Sequence, residues 1–173
     1  MSEGRVEFEA LTALLERESE LLVGRLRLFT GARYAAAALP LPSRADLARH
    51  LAQVLAVGGQ GLESPGRHLP VVWRQLPELP DLAVADQIAV TASDAVRAAR
   101  ALTGRETVPT PGAPTQAREV VAQLCSEVLL HRAELDGAGP GRSAVGTVLA
   151  VLAPGNPPDR FAAAARARCW LYA

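Results

Sequence analysis

Apolar residues recur along this chain at three- and four-residue intervals, and that period predicts helices. The first segment carries Phe8, Leu11, Leu15, Leu22, Leu26 and Phe29 near one face, with Leu14 and Leu21 widening it. This is the stripe of a long amphipathic helix. Glu18 lies inside the stripe and Arg25 two turns later, so the pair is expected to form a polar edge. Gly24 and Gly31 blur the end of the helix, and Pro40 and Pro42 close the segment. Ser43 then opens a second helix. With Asp46 it resembles a capping arrangement, an acceptor near the free amides followed by a first-turn acid. Leu47, Leu51, Val54 and Leu55 form the buried face. Gly58, Gly59 and Gly61 weaken this helix, and Ser64-Pro65-Gly66 breaks it.

From Pro65 to Pro80 the chain is Pro-rich and irregular, with Val71, Val72 and Trp73 expected against the core. A connection this long predicts a crossover along a bundle, or a lid. Asp81 is expected to cap a third helix, with Leu82, Ala85, Ile88, Ala89, Ala92, Val96, Ala99 and Leu102 inward. Gly104 is its natural stop. Thr107 to Pro114 is a loop. Thr115 is then expected to cap a fourth helix that runs to Asp136, with Gly137 stopping it. Ser143 and Asn156-Pro157-Pro158 start two short apolar helices. There is no long strand-like alternation and no internal repeat. The expectation is an all-α single domain over 1–173, with a core bundle over about 5–137 and appended helices over about 143–172.

Composition sharpens this. Hydrophobic residues make up 49% of the 173-residue chain, enough for a real core, but aromatics only 4%, so Leu, Val and Ala must fill it. All 18 basic residues are Arg, they are scattered, and they balance 18 acids. That charge balance argues against a nucleic-acid binder. No apolar run is long enough to span a bilayer, and the N-terminus is too acidic for a signal peptide. Cys125 and Cys169 stand in no metal or redox spacing and read as reduced thiols of a cytoplasmic protein.

Two polar residues break the pattern. In the fourth helix Val120, Leu124, Val128 and Leu135 make the apolar stripe, and Glu127 and His131 fall on it. An unpaired carboxylate on a core face is costly. The i,i+4 spacing lets the two side chains address one object, either each other or a metal ion. His50 lies on or beside the stripe of the second helix, as an edge-of-core residue or a third ligand. Two His and one Glu with an open position form a known catalytic zinc set. His68 reads as a loop histidine. Glu134 is either a partner orienting a ligand or a solvated helix end. Cys125 reads as a packing residue. Trp73 and Trp170 read as packing anchors.

The run from Pro42 to Leu51, with Asp46-Leu47 and His50-Leu51, resembles the second-helix signature of the DinB/YfiT-like superfamily. Its nearest likeness is the branch of mycothiol-dependent maleylpyruvate isomerases. Glu127-Val128-Leu129-Leu130-His131-Arg132 resembles the fourth-helix signature of the same branch. The resemblance covers the four main helices. It implies a DinB-like four-helix bundle with a long crossover between helices two and three. It also implies a divalent metal, zinc above all, at His50, Glu127 and His131. Three departures stand out. Pro42-Ser43 replaces the Trp usual before helix two, the acid after the second histidine is Glu134, and the chain is too short for the second domain of many members.

The resulting expectation is a metal-dependent thiol transferase or isomerase, using a mycothiol-like thiol on a small electrophile. Arg132 is a candidate contact for a carboxylate of that thiol. No residue is assigned a catalytic step. The alternative is a non-catalytic DinB-like bundle that binds a partner or regulates one. A homodimer through the apolar C-terminal helices fits either reading.

Overall fold

The computed structural model describes residues 3–38, 40–67 and 71–136. His68, Gly137, Cys169, Trp170 and the two helices expected over 143–172 lie outside the described residues. Within them the protein is mostly helical: α1 (Glu3–Leu26), α2 (Gly31–Ala35), α3 (Arg44–Leu62), α4 (Val84–Arg100) and α5 (Ala117–Leu135). The long helices α1, α3, α4 and α5 are the four that the apolar period predicts. An all-α class is therefore correct, with one small antiparallel ribbon added, Thr107–Val108 paired with Thr115–Gln116. Among the described residues, no helix is long and apolar enough to cross a membrane.

The apolar stripes meet in one core. Phe8, Leu11, Leu15, Leu22 and Leu26 of α1 are buried with Leu47, Leu51 and Leu55 of α3, Ile88 of α4 and Val121 of α5. The main contacts run from α1 to α4, α4 to α3, α3 to α5 and α5 back to α1, closing a ring of four. Ion pairs between helices give their directions. Glu7 meets Arg118, Glu18 meets Arg132 and Arg25 meets Asp136, so α1 and α5 run parallel. Glu16 meets Arg100 and Arg27 meets Asp86, so α1 and α4 run antiparallel. Arg49 meets Asp81 and Glu63 meets Arg97, so α3 and α4 run parallel and the chain between them must return the length of the bundle.

Residues 71–80 make that return as an extended strap along α3. Gln60 accepts the amide of Arg74 at 2.9 Å and Gln53 accepts that of Leu76 at 2.9 Å, while Arg49 donates to the carbonyl of Leu79 at 3.1 Å. Gln87 of α4 donates to Pro77 O at 2.7 Å. The strap has no sheet to join, so polar side chains on one flank of α3 satisfy its backbone groups. The crossover predicted from the long connection is thus present. Val72 is 86% exposed, contrary to its expected place on the core, whereas Trp73 is half-buried and reaches towards Gly61.

Ser43 caps α3 as predicted: its hydroxyl accepts from the Asp46 amide at 3.1 Å and donates to the Asp46 carboxylate at 2.6 Å. Other expectations need correction. α3 continues through Gly58, Gly59 and Gly61 to Leu62 and ends before Ser64, with Gly59 against the backbone of Ala95 and Gly61 against the carbonyl of Pro109. Asp81 does not cap α4. It begins a 3₁₀ turn, Asp81–Ala83, and pairs with Arg49. That turn shifts the helical register, which leaves Leu82 68% exposed. Thr115 does not cap α5; the amides of Ala117 and Arg118 bond to the carbonyls of Glu106 (2.8 Å) and Gly104 (3.1 Å). Leu21 is 51% exposed, on the outer flank of α1. The polar edge between Glu18 and Arg25 does not form, since each pairs with α5 instead.

Candidate metal centre

The residues of interest come from two facing helices. Glu127, His131 and Glu134 stand at i, i+4 and i+7 on one face of α5, and His50 stands on α3 across from them. All four line one cavity of about 100 Å³ between the helices. Loop residues Leu41, Pro109 and Thr110 close its sides. Leu47, Val54, Val57 and Leu124 supply apolar walls.

His50 and His131 lie against each other as stacked rings, centroids 5.7 Å apart and planes inclined by 26°. His131 is 5% exposed. Its Nδ1 is 2.8 Å from the carbonyl oxygen of Glu127, one helical turn earlier, and 3.6 Å from the Glu127 carboxylate. A proton on Nδ1 donates to the Glu127 carbonyl and leaves the basic lone pair on Nε2. This is the orientation a backbone carbonyl gives to many ligating imidazoles. His50 is half-buried, and burial pushes its pKa below the ordinary value of 6.5, favouring the neutral ring that can donate to a metal. No three His, Cys, Asp or Glu side chains among the described residues converge as a ready metal shell. The donor types of the predicted set are therefore gathered in one cavity, with the Glu127 carboxylate lying on the Nδ1 side of His131.

Two neighbouring residues take other roles. Arg132 follows His131 by one position, about 100° round the helix, and faces α1. There its guanidinium is bound to the carboxylate of Glu18, a group only 9% exposed. It does not line the cavity. Cys125 is buried and donates to Leu11 O at 3.3 Å; burial first, and then the charge of Glu18, push its thiol up to about 12. It is a packing residue, as the sequence suggests.

Sequence reasoning missed the loops and one glycine. A Cβ at Gly58 would stand 2.8 Å from both terminal methyl carbons of Leu124, so the missing side chain lets α5 lay Leu124 across the cavity wall. The glycine cluster was the available signal, because a helix that tolerates glycine has a close neighbour. Pro109 and Thr110 reach the cavity through the ribbon's fold-back, which no periodicity encodes. No protein-family model, curated protein or solved structure matches this chain.

Proposed function

We propose that the cavity between α3 and α5 is a metal-dependent site for thiol transfer or isomerisation, in a bundle of the DinB-like kind. One observation carries this reading. His50, Glu127 and His131, picked out from separate sequence segments, line the same cavity, and the two imidazoles touch. Their donor types match a catalytic zinc set. His50 and His131 would hold the ion with Glu127. The ion, when bound, would supply the positive charge that lowers the pKa of a low-molecular-weight thiol, mycothiol being the one the resemblance implies.

The chain's own groups account for the rest. The Glu127 carbonyl orients His131. The apolar walls would limit water around bound groups, which would strengthen electrostatic interactions there. Glu134, which lines the cavity, would accept a proton from a bound thiol or substrate. Cys125 is buried with its thiol pushed up to about 12 and is not the reacting thiol; the thiol would come from solution. The reading includes a cytoplasmic location, where such thiols are abundant.

A second reading is favoured by the absence of a converged three-donor shell among the described residues. On that reading the cavity binds a small molecule or partner group without chemistry. Turnover separates the two. Zinc-loaded protein is mixed with a small thiol and a small electrophile, and thiol loss is followed. Metal-dependent loss that disappears in His131→Ala supports the first reading. No rate above the protein-free mixture supports the second.

A further inference from the structure

Two contacts fix how α3 and α5 lie against each other. His50 stacks on His131, and the Cβ position at Gly58 meets Leu124. Eight positions forward along α3 thus match seven positions back along α5, the register of antiparallel helices. At 1.5 Å per residue, the Gly58–Leu124 contact lies about 12 Å along the bundle from the two imidazoles. The cavity reaches both places, since all four residues line it. Its far end is built from Val57 and Gly58 of α3 and Val120 and Leu124 of α5. Pro109, whose carbonyl meets Gly61, closes it. Gln123 and Thr110 are the polar residues at that level.

Gly58 has no conformational reason to be glycine. It lies inside a helix without a positive φ, where glycine is less favourable than alanine. Gly59 backs onto Ala95 and Gly61 onto the Pro109 carbonyl, whereas Gly58 is the glycine of the three that lines the cavity. A Cβ there would crowd both terminal methyl carbons of Leu124 at 2.8 Å. Leu124 is only 3% exposed, so its other sides are packed and the space open to it is the cavity. Either the new methyl or the displaced tip of Leu124 would then fill the far end.

We propose that this end of the cavity receives the hydrocarbon end of the substrate, and that Gly58 sets how large a group it admits. The substrate class is a small electrophile with its reacting atom towards the histidines. A short alkyl chain or ring runs from there along the bundle towards Gly58. This deepens the function proposed above and rests on the cavity being the ligand site, but not on the metal.

The test measures 1-butanol and 1-hexanol by ligand-observed NMR titration of the full, metal-stripped chain. Each buried methylene should tighten binding about three- to fourfold, so hexanol is expected to bind about tenfold more tightly than butanol. In Gly58→Ala that ratio is expected to fall below about threefold, with the affinity for butanol within about twofold of wild type. Val57→Leu fills the same end without altering a glycine, and the same drop is expected. Gly58→Ala/Leu124→Val adds one carbon and removes another, and is expected to restore a ratio of about tenfold. Thermal unfolding checks that each variant is folded.

A ratio unchanged in either single variant, or an equal loss for both alcohols, would leave Gly58 a packing role alone and overturn the proposal. So would a double variant that keeps the lowered ratio, or wild-type protein that binds hexanol no more tightly than butanol or binds neither. Zinc uptake by the same protein reads the metal proposal separately. Length selectivity without zinc binding would support the subsite and sink the metal site, and zinc binding without length selectivity would do the reverse.

Discussion

The imidazole of His50 on α3 stacks on that of His131 on α5, 5.7 Å between centroids, at the wall of a cavity both side chains share. Two helices antiparallel to each other bring them together. Their meeting turns a pair of odd polar positions into a candidate site.

Arg132 gives the first prediction. Its partner Glu18 is nearly buried, so Arg132→Ala leaves a carboxylate with no counter-charge. The expected cost is about 2–4 kcal/mol, lower than for a fully enclosed pair because the arginine is one-third exposed. Replacing both residues by leucine should recover much of it. Urea unfolding measures both. Affinity for a cavity ligand should be unchanged in Arg132→Ala; a large loss would restore the anion-contact role expected from the sequence.

Three glycine-to-alanine changes should differ in sign. Gly24 sits inside α1, where an added Cβ would meet nothing within 4 Å, so alanine should stabilise by about 0.5–1 kcal/mol. At Gly58 the obstruction is the flexible tip of Leu124, and the change should be near neutral while narrowing the cavity. At Gly61 it is the carbonyl of Pro109, 2.5 Å away, which moves only with its loop. That variant should lose about 1–3 kcal/mol. Thermal unfolding of the three, compared in one buffer, checks the order.

Tyr34 sets an alkaline limit. Its hydroxyl donates to Leu26 O at 2.9 Å, and burial, then the charges of Asp81 and Asp86, raise its pKa above 10.0. The folded state therefore keeps the phenol protonated after the unfolded chain begins to ionise. Stability from this group is complete below about pH 10 and falls as pH rises past it. Tyr34→Phe should cost about 1 kcal/mol at neutral pH, for the lost hydrogen bond, and flatten the alkaline decline. Denaturation midpoints between pH 8 and about 11, wild type against variant, read the difference.

Cys125 should be inert while the protein is folded. With its thiol pushed up to about 12, almost no thiolate exists at pH 8, and the group is buried. Iodoacetamide followed by peptide mass mapping should label Cys125 only in denaturant. Rapid labelling in native buffer would contradict its packing role.

How much of this was legible in the sequence depended on whether the determinant was local. Ser43 and Asp46 are three residues apart, and their cap is there as predicted. Asp81 and Thr115 carry similar local signals, but tertiary partners took them over: Arg49 holds Asp81, and a fold-back ribbon supplies carbonyls where Thr115 was expected to cap. The four apolar stripes and the long crossover were visible because burial imposes a period. The strap's hold on Gln53 and Gln60 was not, because glutamines on a helix look the same in sequence whether or not backbone groups lie against them. For the site, the sequence pointed to His50, Glu127 and His131, and all three line one cavity. The pairing of Arg132 with Glu18 could not be read, since it depends on which face of α5 meets α1.

The metal-dependent chemistry proposed for the site turns on His50, Glu127 and His131 acting together on one metal ion. Zinc titration of metal-stripped protein by calorimetry decides it. One ion should bind per chain, with affinity falling at least about tenfold in each of His50→Ala, Glu127→Ala and His131→Ala. Loss of the ligands must be less than additive in the double variant His50→Ala/His131→Ala, because both would serve the same ion. Zinc binding that is absent, or that is indifferent to His131→Ala, would contradict the shared site.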